Sequence, residues 1–289
     1  MALKFKVVKT NKELDTVIAF LGTEFNWKYS KIIKIKSRLI EANKSIGFYG
    51  FILQGEDGCL NGAILAINQA ELKKKTIINL MSIYVSPEYR GLNTFLFLEN
   101  ILKELNPIKY IITGYSASDN ADLIFQQAGF STMNCGYTTW NIAKDWINTF
   151  NNIYLILSKN IGIKYISKER VRISEISFNC ISTIYKIESN KKDCLFIGIK
   201  NHVSKELLGI KINIPIYYIL WAEDEDFIFK NWYAICFSIM VRMGTLLICT
   251  NTRKTDSRDL KLLNHNRYHI YSKNNNIKYI PPIGSEISI

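Results

Sequence analysis

The residues best placed to do chemistry in this 289-residue chain lie between Ile77 and Leu105. A β-branched apolar run, Ile77-Ile78-Asn79-Leu80-Met81-Ser82-Ile83-Tyr84-Val85, stops at Ser86-Pro87. The turn Glu88-Tyr89-Arg90-Gly91-Leu92-Asn93-Thr94 follows, and the spacing predicts an amphipathic helix over Thr94 to Leu105. Strand, loop and helix in that order aim backbone N–H groups and a positive helix end at one point, which is how folds hold phosphate. Arg90, inside the loop, reads as a phosphate ligand or as a surface cation. Asn79 and Ser82 fall on alternate faces of the strand. Each is a candidate to bind substrate or orient water, against the alternative of a structural bond to a neighbouring strand.

Other chemistries find less support. The six cysteines, Cys59, Cys135, Cys180, Cys194, Cys236 and Cys249, are scattered through apolar runs and read as free thiols in a reducing compartment. His265 and His269 would stand ~13 Å apart on a strand with no third ligand nearby, so no metal is expected. Three histidines and no nucleophile elbow give a hydrolase triad no footing. The net charge of +12 comes from lysines spread along the chain, which describes a solvated basic surface attractive to an anionic cofactor and not a nucleic-acid footprint. The apolar stretch Trp232 to Thr250 contains Arg242 and is divided by Gly244, so it reads as helix then strand, with no integral membrane span. A signal-type core is missing from Met1 to Asp15, and a cytoplasmic location is expected.

The elements that must position the loop follow from pattern. Lys4 to Val8 alternates as a strand, and Thr10 or Asn11 can cap a helix over Lys12 to Leu21. A lysine-bearing helix is expected at Tyr29 to Ala42, then a hairpin of Gly47–Gln54 and Cys59–Asn68 about Gly55-Glu56-Asp57-Gly58. The strand Thr76 to Val85 pairs on. After the loop and helix come a strand at Lys109–Tyr115, a helix at Ala121–Gln127 stopped by Gly129, and two short strands at Phe130–Met133 and Tyr137–Ile142.

This layout resembles the GNAT superfamily of acyltransferases. Val85-Ser86-Pro87-Glu88-Tyr89-Arg90-Gly91 looks like the family's segment between its fourth strand and third helix. Phe125-Gln126-Gln127-Ala128-Gly129-Phe130 looks like the end of its fourth helix. The resemblance spans about Leu3 to Ile142. It implies acetyl-CoA as cosubstrate: the amides of Ile83 and Val85 on the pantetheine arm, and Arg90, Gly91, Leu92, Asn93, Thr94 and Phe95 around the pyrophosphate. Tyr84 and Asn120 are placed with the same cofactor set. It implies direct attack of a small-molecule amine on the thioester, with strand-end polar groups taking the proton. Asn93 and Phe95 stand where the family has glycines, and Phe125 where it often has the tyrosine that protonates the leaving thiolate. Tyr84, Tyr89, Tyr115 or water would then have to supply that proton.

From Asn151 the pattern restarts. Strands are expected at Ile153–Leu157, Ile161–Ile166, Cys194–Lys200, Leu207–Ile212, Pro215–Trp221, Thr245–Thr250 and Tyr268–Lys273. Helices are expected within Ser174–Ser189 and at Phe227–Arg242 and Ser257–Leu263. The expected fold is therefore α/β (mixed α+β): residues 1–150 as a GNAT-like acyl-CoA-binding domain and 151–289 as a second, degenerate copy, each a mostly antiparallel splayed sheet flanked by helices. The second copy's loop, Ala222-Glu223-Asp224-Glu225-Asp226, is too acidic for pyrophosphate. The expected function is an acyl-CoA-dependent N-acetyltransferase acting on an amino sugar or sugar nucleotide of surface polysaccharide synthesis. A catalytically inactive GNAT-like binding module is the alternative.

Overall fold

Lysine and apolar residues alternate in Lys4–Val8, which forms β1 at the edge of a sheet. The computed structural model describes residues 3–72, 74–116, 119–141, 145–150, 162–169, 172–173, 176–178, 182–188, 193–207, 210–252 and 266–271. Helix α1, Asn11–Glu24, starts from Thr10, whose hydroxyl accepts from Glu13 N while the Glu13 carboxylate accepts from Thr10 N, satisfying two orphan donors at once. Helix α2, Tyr29–Ala42, follows. Strands β2 (Gly50–Gln54), β3 (Leu60–Leu72) and β4 (Lys75–Val85) continue the antiparallel order. Helix α3 (Leu92–Glu104) then carries the chain to β5 (Tyr110–Ser116), which pairs with β4 in parallel. After β5 come helix α4 (Asp119–Gln127), strand β6 (Ser131–Asn141) and a helical segment α5 over residues 145–150.

Two apolar layers sandwich this sheet. Leu14, Val17, Ile18 and Leu21 of α1 and Ile35 and Leu39 of α2 cover one face, against Ala63, Leu65, Ile67 and Met81. Phe97, Leu98 and Ile101 of α3 and Phe125 of α4 cover the other, against Phe51, Ile64, Ile78, Leu80 and Ile112.

The rest of the chain builds β7 (Gly162–Glu169), β8 (Arg172–Ile173), β9 (Ile176–Phe178), β10 (Ser182–Glu188), β11 (Cys194–Leu207) and β12 (Ile210–Ala222). Helices α6 (Glu225–Lys230) and α7 (Trp232–Met243) and strands β13 (Leu247–Thr252) and β14 (Asn266–Tyr271) complete it. Strands β7, β10, β11 and β12 are neighbours in that order and antiparallel; β12 and β13 are parallel, and β13 meets β6 antiparallel. The front sheet runs through the same signs: three antiparallel pairings, the parallel β4–β5, then antiparallel β5–β14. Strand β6 belongs to both sheets, pairing with β14 through Ser131–Cys135 and with β13 through Gly136–Asn141.

Several expectations change here. The two short strands after α4 are the single strand β6, because each half finds a partner in a different sheet. Within Ser174–Ser189 the described residues are strands: buried Tyr185 and Ile187 alternate with half-exposed Lys186 and Glu188, a period of two. Leu207–Ile212 and Pro215–Trp221 are covered by β11's end and the one strand β12. Pro215 is tolerated because β12 gains its second neighbour only from Ile216 onward. Asn231 splits the expected Phe227–Arg242 helix, its own amide and its side chain both bonding Phe227 O. The closing strand is present at Asn266–Tyr271 but lies in the front sheet, between β5 and β6. Ile153–Leu157 and Ser257–Leu263 lie outside the described residues. Among the described residues no helix is long and apolar enough to cross a membrane.

Candidate functional site

The site begins where β4 and β5 part. They pair in parallel from Thr76 with Tyr110 to Leu80 with Gly114. Beyond that, β5 keeps only β14, on its other edge, with Tyr115 opposite Tyr268 and Ser116 opposite Arg267. On its other side β4 keeps β3 but bulges: Met81 faces Leu65 while Tyr84 faces Ala63. Ser82 takes up the extra length with φ 55°, a left-handed conformation that costs a non-glycine residue of order 1–3 kcal/mol and tends to be retained at functional sites. Ser86 N donates to Asn61 O at 2.8 Å, so alternation points the amides of Val85 and Ile83 away from β3, into the opening. Among the described residues no strand takes up that edge beyond Leu80.

The chain leaves this edge through a single 3-10 turn, Pro87–Tyr89, closed by Tyr89 N to Ser86 O at 2.9 Å. Gly91 follows with φ 82° and ψ −122°, a conformation that a side chain would strain even though a Cβ there would meet nothing. Its carbonyl accepts from Thr94 N and Phe95 N and starts α3. Among the described residues no side chain caps this helix end. Thr94 is only 5% exposed, and its hydroxyl has no hydrogen-bond partner among the described residues. Burying an unpaired hydroxyl costs about 1–3 kcal/mol. An uncapped helix end beside an unmatched buried hydroxyl suits an anion.

Arg90 is exposed yet held. Its Nε donates to Val85 O at 2.9 Å, and its guanidinium lies 5.6 Å from the centre of the Tyr84 ring. The Tyr84 ring is met edge-on by Phe20 and Phe25. Its hydrogen bond with the Glu24 carboxylate, aided by burial, holds the phenol above its ordinary range, with Arg90 pulling the other way.

The remaining sequence candidates divide. Ser82 is half-exposed at the bulge, and Ile83, Val85, Gly91, Leu92, Asn93, Thr94 and Phe95 fall along one path from the open edge to the helix end. Asn79 is fully buried, and its Oδ1 accepts from Thr113 Oγ1 at 3.1 Å, the bond to a neighbouring strand that was its alternative. The backbone of Tyr115 is the first of β5 beyond the parallel pairing. Asn120 is exposed in the first turn of α4. Phe125 is buried, edge-on to Phe130 at 4.9 Å, and packs so closely on Gly114 that a Cβ there would come within 2.6 Å of the ring. Residue-by-residue reading did not foresee that Phe25 would meet the Tyr84 ring.

In the rear sheet the corresponding turn is closed. Glu223 N donates to Leu195 O, and the Glu223 carboxylate accepts from Leu195 N. Asp224 caps α6 by accepting from Phe227 N at 2.8 Å. Among the described residues no group of three acidic, histidine or cysteine side chains is placed to hold a metal ion.

No protein-family model and no curated sequence matches the chain. Solved structures do. A GCN5-related N-acetyltransferase from Anabaena variabilis superposes with TM-score 0.58 at 12% identity, over 92% of this chain and 72% of its own. The GCN5-related glucosamine N-acetyltransferase region of a fungal multi-domain β-N-acetylglucosaminidase gives TM-score 0.58 at 14% identity, over 93% of this chain and 38% of that one. Saccharomyces cerevisiae N-myristoyltransferase with bound myristoyl-CoA gives TM-score 0.50 at 12% identity, over 93% and 82%. The chain shares the fold of these GCN5-related N-acetyltransferases.

Proposed function

We propose that this chain is an acyl-CoA-dependent N-acyltransferase using acetyl-CoA as cosubstrate, with its cofactor site in the front sheet. The observation that carries the reading is the edge of β4 that no described strand takes up, bulged at Ser82 and leading to the end of α3, which no described side chain caps. An amide-bearing pantetheine arm fits that edge as an added strand, on Ile83 and Val85. Gly91, Leu92, Asn93, Thr94 and Phe95 would surround the pyrophosphate, with Arg90 and Tyr84 at its rim and Asn120 at the head of α4. The thioester would lie beside the Ser82 bulge, where an unprotonated amine attacks its carbonyl carbon. As the C–N bond forms and the C–S bond breaks, the amine proton passes to a strand-end polar group or water and the thiolate leaves. A thiolate is a fair leaving group near neutral pH, and Tyr115 is kept as the candidate donor because Phe125 has no proton to give.

The pairing signs of the two sheets support reading residues 151–289 as a second, degenerate copy of 1–150, with the rear copy shaping the acceptor side. An amino sugar or sugar nucleotide remains the acceptor proposed, in a cytoplasmic setting. Calorimetry and thermal shift with acetyl-CoA, followed by thiol release on adding glucosamine, test the function. Absence of both heat and thermal shift at millimolar cofactor would sink it. One observation favours a second reading, a GNAT-like binding module without catalysis: Phe125 packed on Gly114. Tight cofactor binding without thiol release from any amine would select it.

A further inference from the structure

Helix α2 turns Ile35, Leu39 and Ala42 inward, and its outward face mixes apolar and basic side chains. Tyr29, 77% exposed, and Ile33, 49% exposed, stand one turn apart on that face. The turn leading into the helix adds another apolar group. Phe25 caps α1, Asn26 takes φ 50°, and Trp27 N returns to bond Gly22 O at 2.8 Å. That bend stacks Phe25 on Trp27 and leaves Phe25 40% exposed. Lys28, Lys31 and Lys34 are exposed beside these side chains, with Lys31 over the Trp27 ring. Among the described residues none of the three makes an ion pair, whereas Lys36 is bound to Asp15 of α1. From Glu24 to Lys44 the sequence holds six cations against two carboxylates, Glu24 and Glu41. Around the helix, the short exposed side chains of Ser30 and Ser37 lie between Ile33 and Lys34.

We propose that this face is a docking surface for an anionic lipid bilayer. Exposed apolar groups rimmed by polar ones mark interaction sites, and the lysine rim here selects the partner. Lysine is depleted from protein–protein interfaces. A negatively charged leaflet draws it in: each lysine held near such a surface strengthens binding by about fivefold. Tyrosine and tryptophan rings settle at headgroup level, where one end is apolar and the other wet. Lysine stems lie along apolar surface and carry their ammonium groups to the phosphates, while Tyr29 and Ile33 enter the acyl boundary. Glu24 and Glu41 reduce the attraction without cancelling it. The contact is peripheral, because α2 keeps Ile35 and Leu39 in the core against β3 and β4 and offers lipid only its outward side chains. This surface is no part of the path from β4 to α3 and stands independently of the acyltransferase reading.

The test is flotation of the full chain at low salt with vesicles of phosphatidylcholine alone or of phosphatidylcholine mixed equally with phosphatidylglycerol. The expected result is flotation with the mixed vesicles only, released as salt rises. The emission of a Tyr29→Trp variant should shift to the blue on those vesicles. Lys28→Gln combined with Lys34→Gln should weaken partitioning by about 30-fold, and Tyr29→Ser combined with Ile33→Ser by about tenfold. A control pair from the rear half, Lys164→Gln with Lys230→Gln, both exposed, should stay within about twofold of the parent, which separates this face from the overall charge of the chain. Circular dichroism and melting temperature confirm that each variant is folded. The proposal is overturned if neither vesicle binds, if phosphatidylcholine alone binds equally well, if the control pair weakens binding as much as the α2 pair, or if the Tyr29 and Ile33 changes leave partitioning unaltered. Binding to polyglutamate without binding to the mixed vesicles also overturns it and assigns the face to an acidic protein partner.

Discussion

After β4 and after β12 the chain faces the same geometric problem and answers it with opposite chemistry. Each strand has just finished a parallel pairing and must turn into a helix on one face of its sheet. In front, the turn contains Arg90 and Gly91, and among the described residues no side chain caps the helix end and the buried Thr94 hydroxyl has no partner. In the rear, Glu223 and Asp224 spend their carboxylates on Leu195 N and Phe227 N. The difference teaches that a helix end is not a binding site by topology alone. On the proposed reading it becomes one where the protein leaves its own side chains out.

Charge reversal gives the widest expected gap between the two turns. Arg90→Glu should weaken acetyl-CoA by about 100-fold, roughly 2.7 kcal/mol, with its fold intact by circular dichroism. Glu223→Lys should leave that affinity unchanged by the same calorimetry. Equal effects would erase the distinction between front and rear. Next in size is Gly91→Ala, expected to cost roughly 1–3 kcal/mol in denaturant unfolding from its φ of 82°, together with cofactor affinity. An Asp224→Ala variant should lose about 1 kcal/mol of stability as a lost helix cap and none of its cofactor binding, which separates a structural carboxylate from a functional loop.

Two further measurements sharpen the contrast between the sheets. Tyr217 is 2% exposed, its hydroxyl has no partner among the described residues, and burial pushes its phenol well up. Unlike Thr94, it stands in the aromatic core with Tyr185 and Phe196. Tyr217→Phe should therefore raise stability by about 1 kcal/mol in urea titration without touching cofactor affinity. The smallest effect is a difference in thiol reactivity. In native protein at mildly alkaline pH, a thiol reagent should modify exposed Cys59, while Cys249, its thiol pushed up to about 12 by burial, stays unreacted until the protein unfolds.

Local pattern carried far into this fold. Lys4–Val8, Tyr29–Ala42 and the strand–loop–helix of Ile77 to Leu105 were legible because alternation, helical spacing and a terminating proline or glycine act within a few residues. The same reasoning failed at β10, where the pattern of buried Tyr185 and Ile187 became decisive only with β11 as a partner. It also failed at β6, where neither half of Ser131–Asn141 announces which sheet it joins.

What the sequence by itself determined is the chemistry available: a basic chain, one strand–loop–helix with an arginine and a glycine in the turn, and an acidic run in the matching turn behind it. Tertiary structure alone decided how that chemistry is deployed. It turned Arg90 back onto Val85 and Tyr84, tied Asn79 to Thr113, brought Phe25 edge-on to Tyr84, and threaded β14 between β5 and β6. Such arrangements depend on pairing between residues far apart in the chain, and register and face are set by the partner strand as much as by the residues themselves.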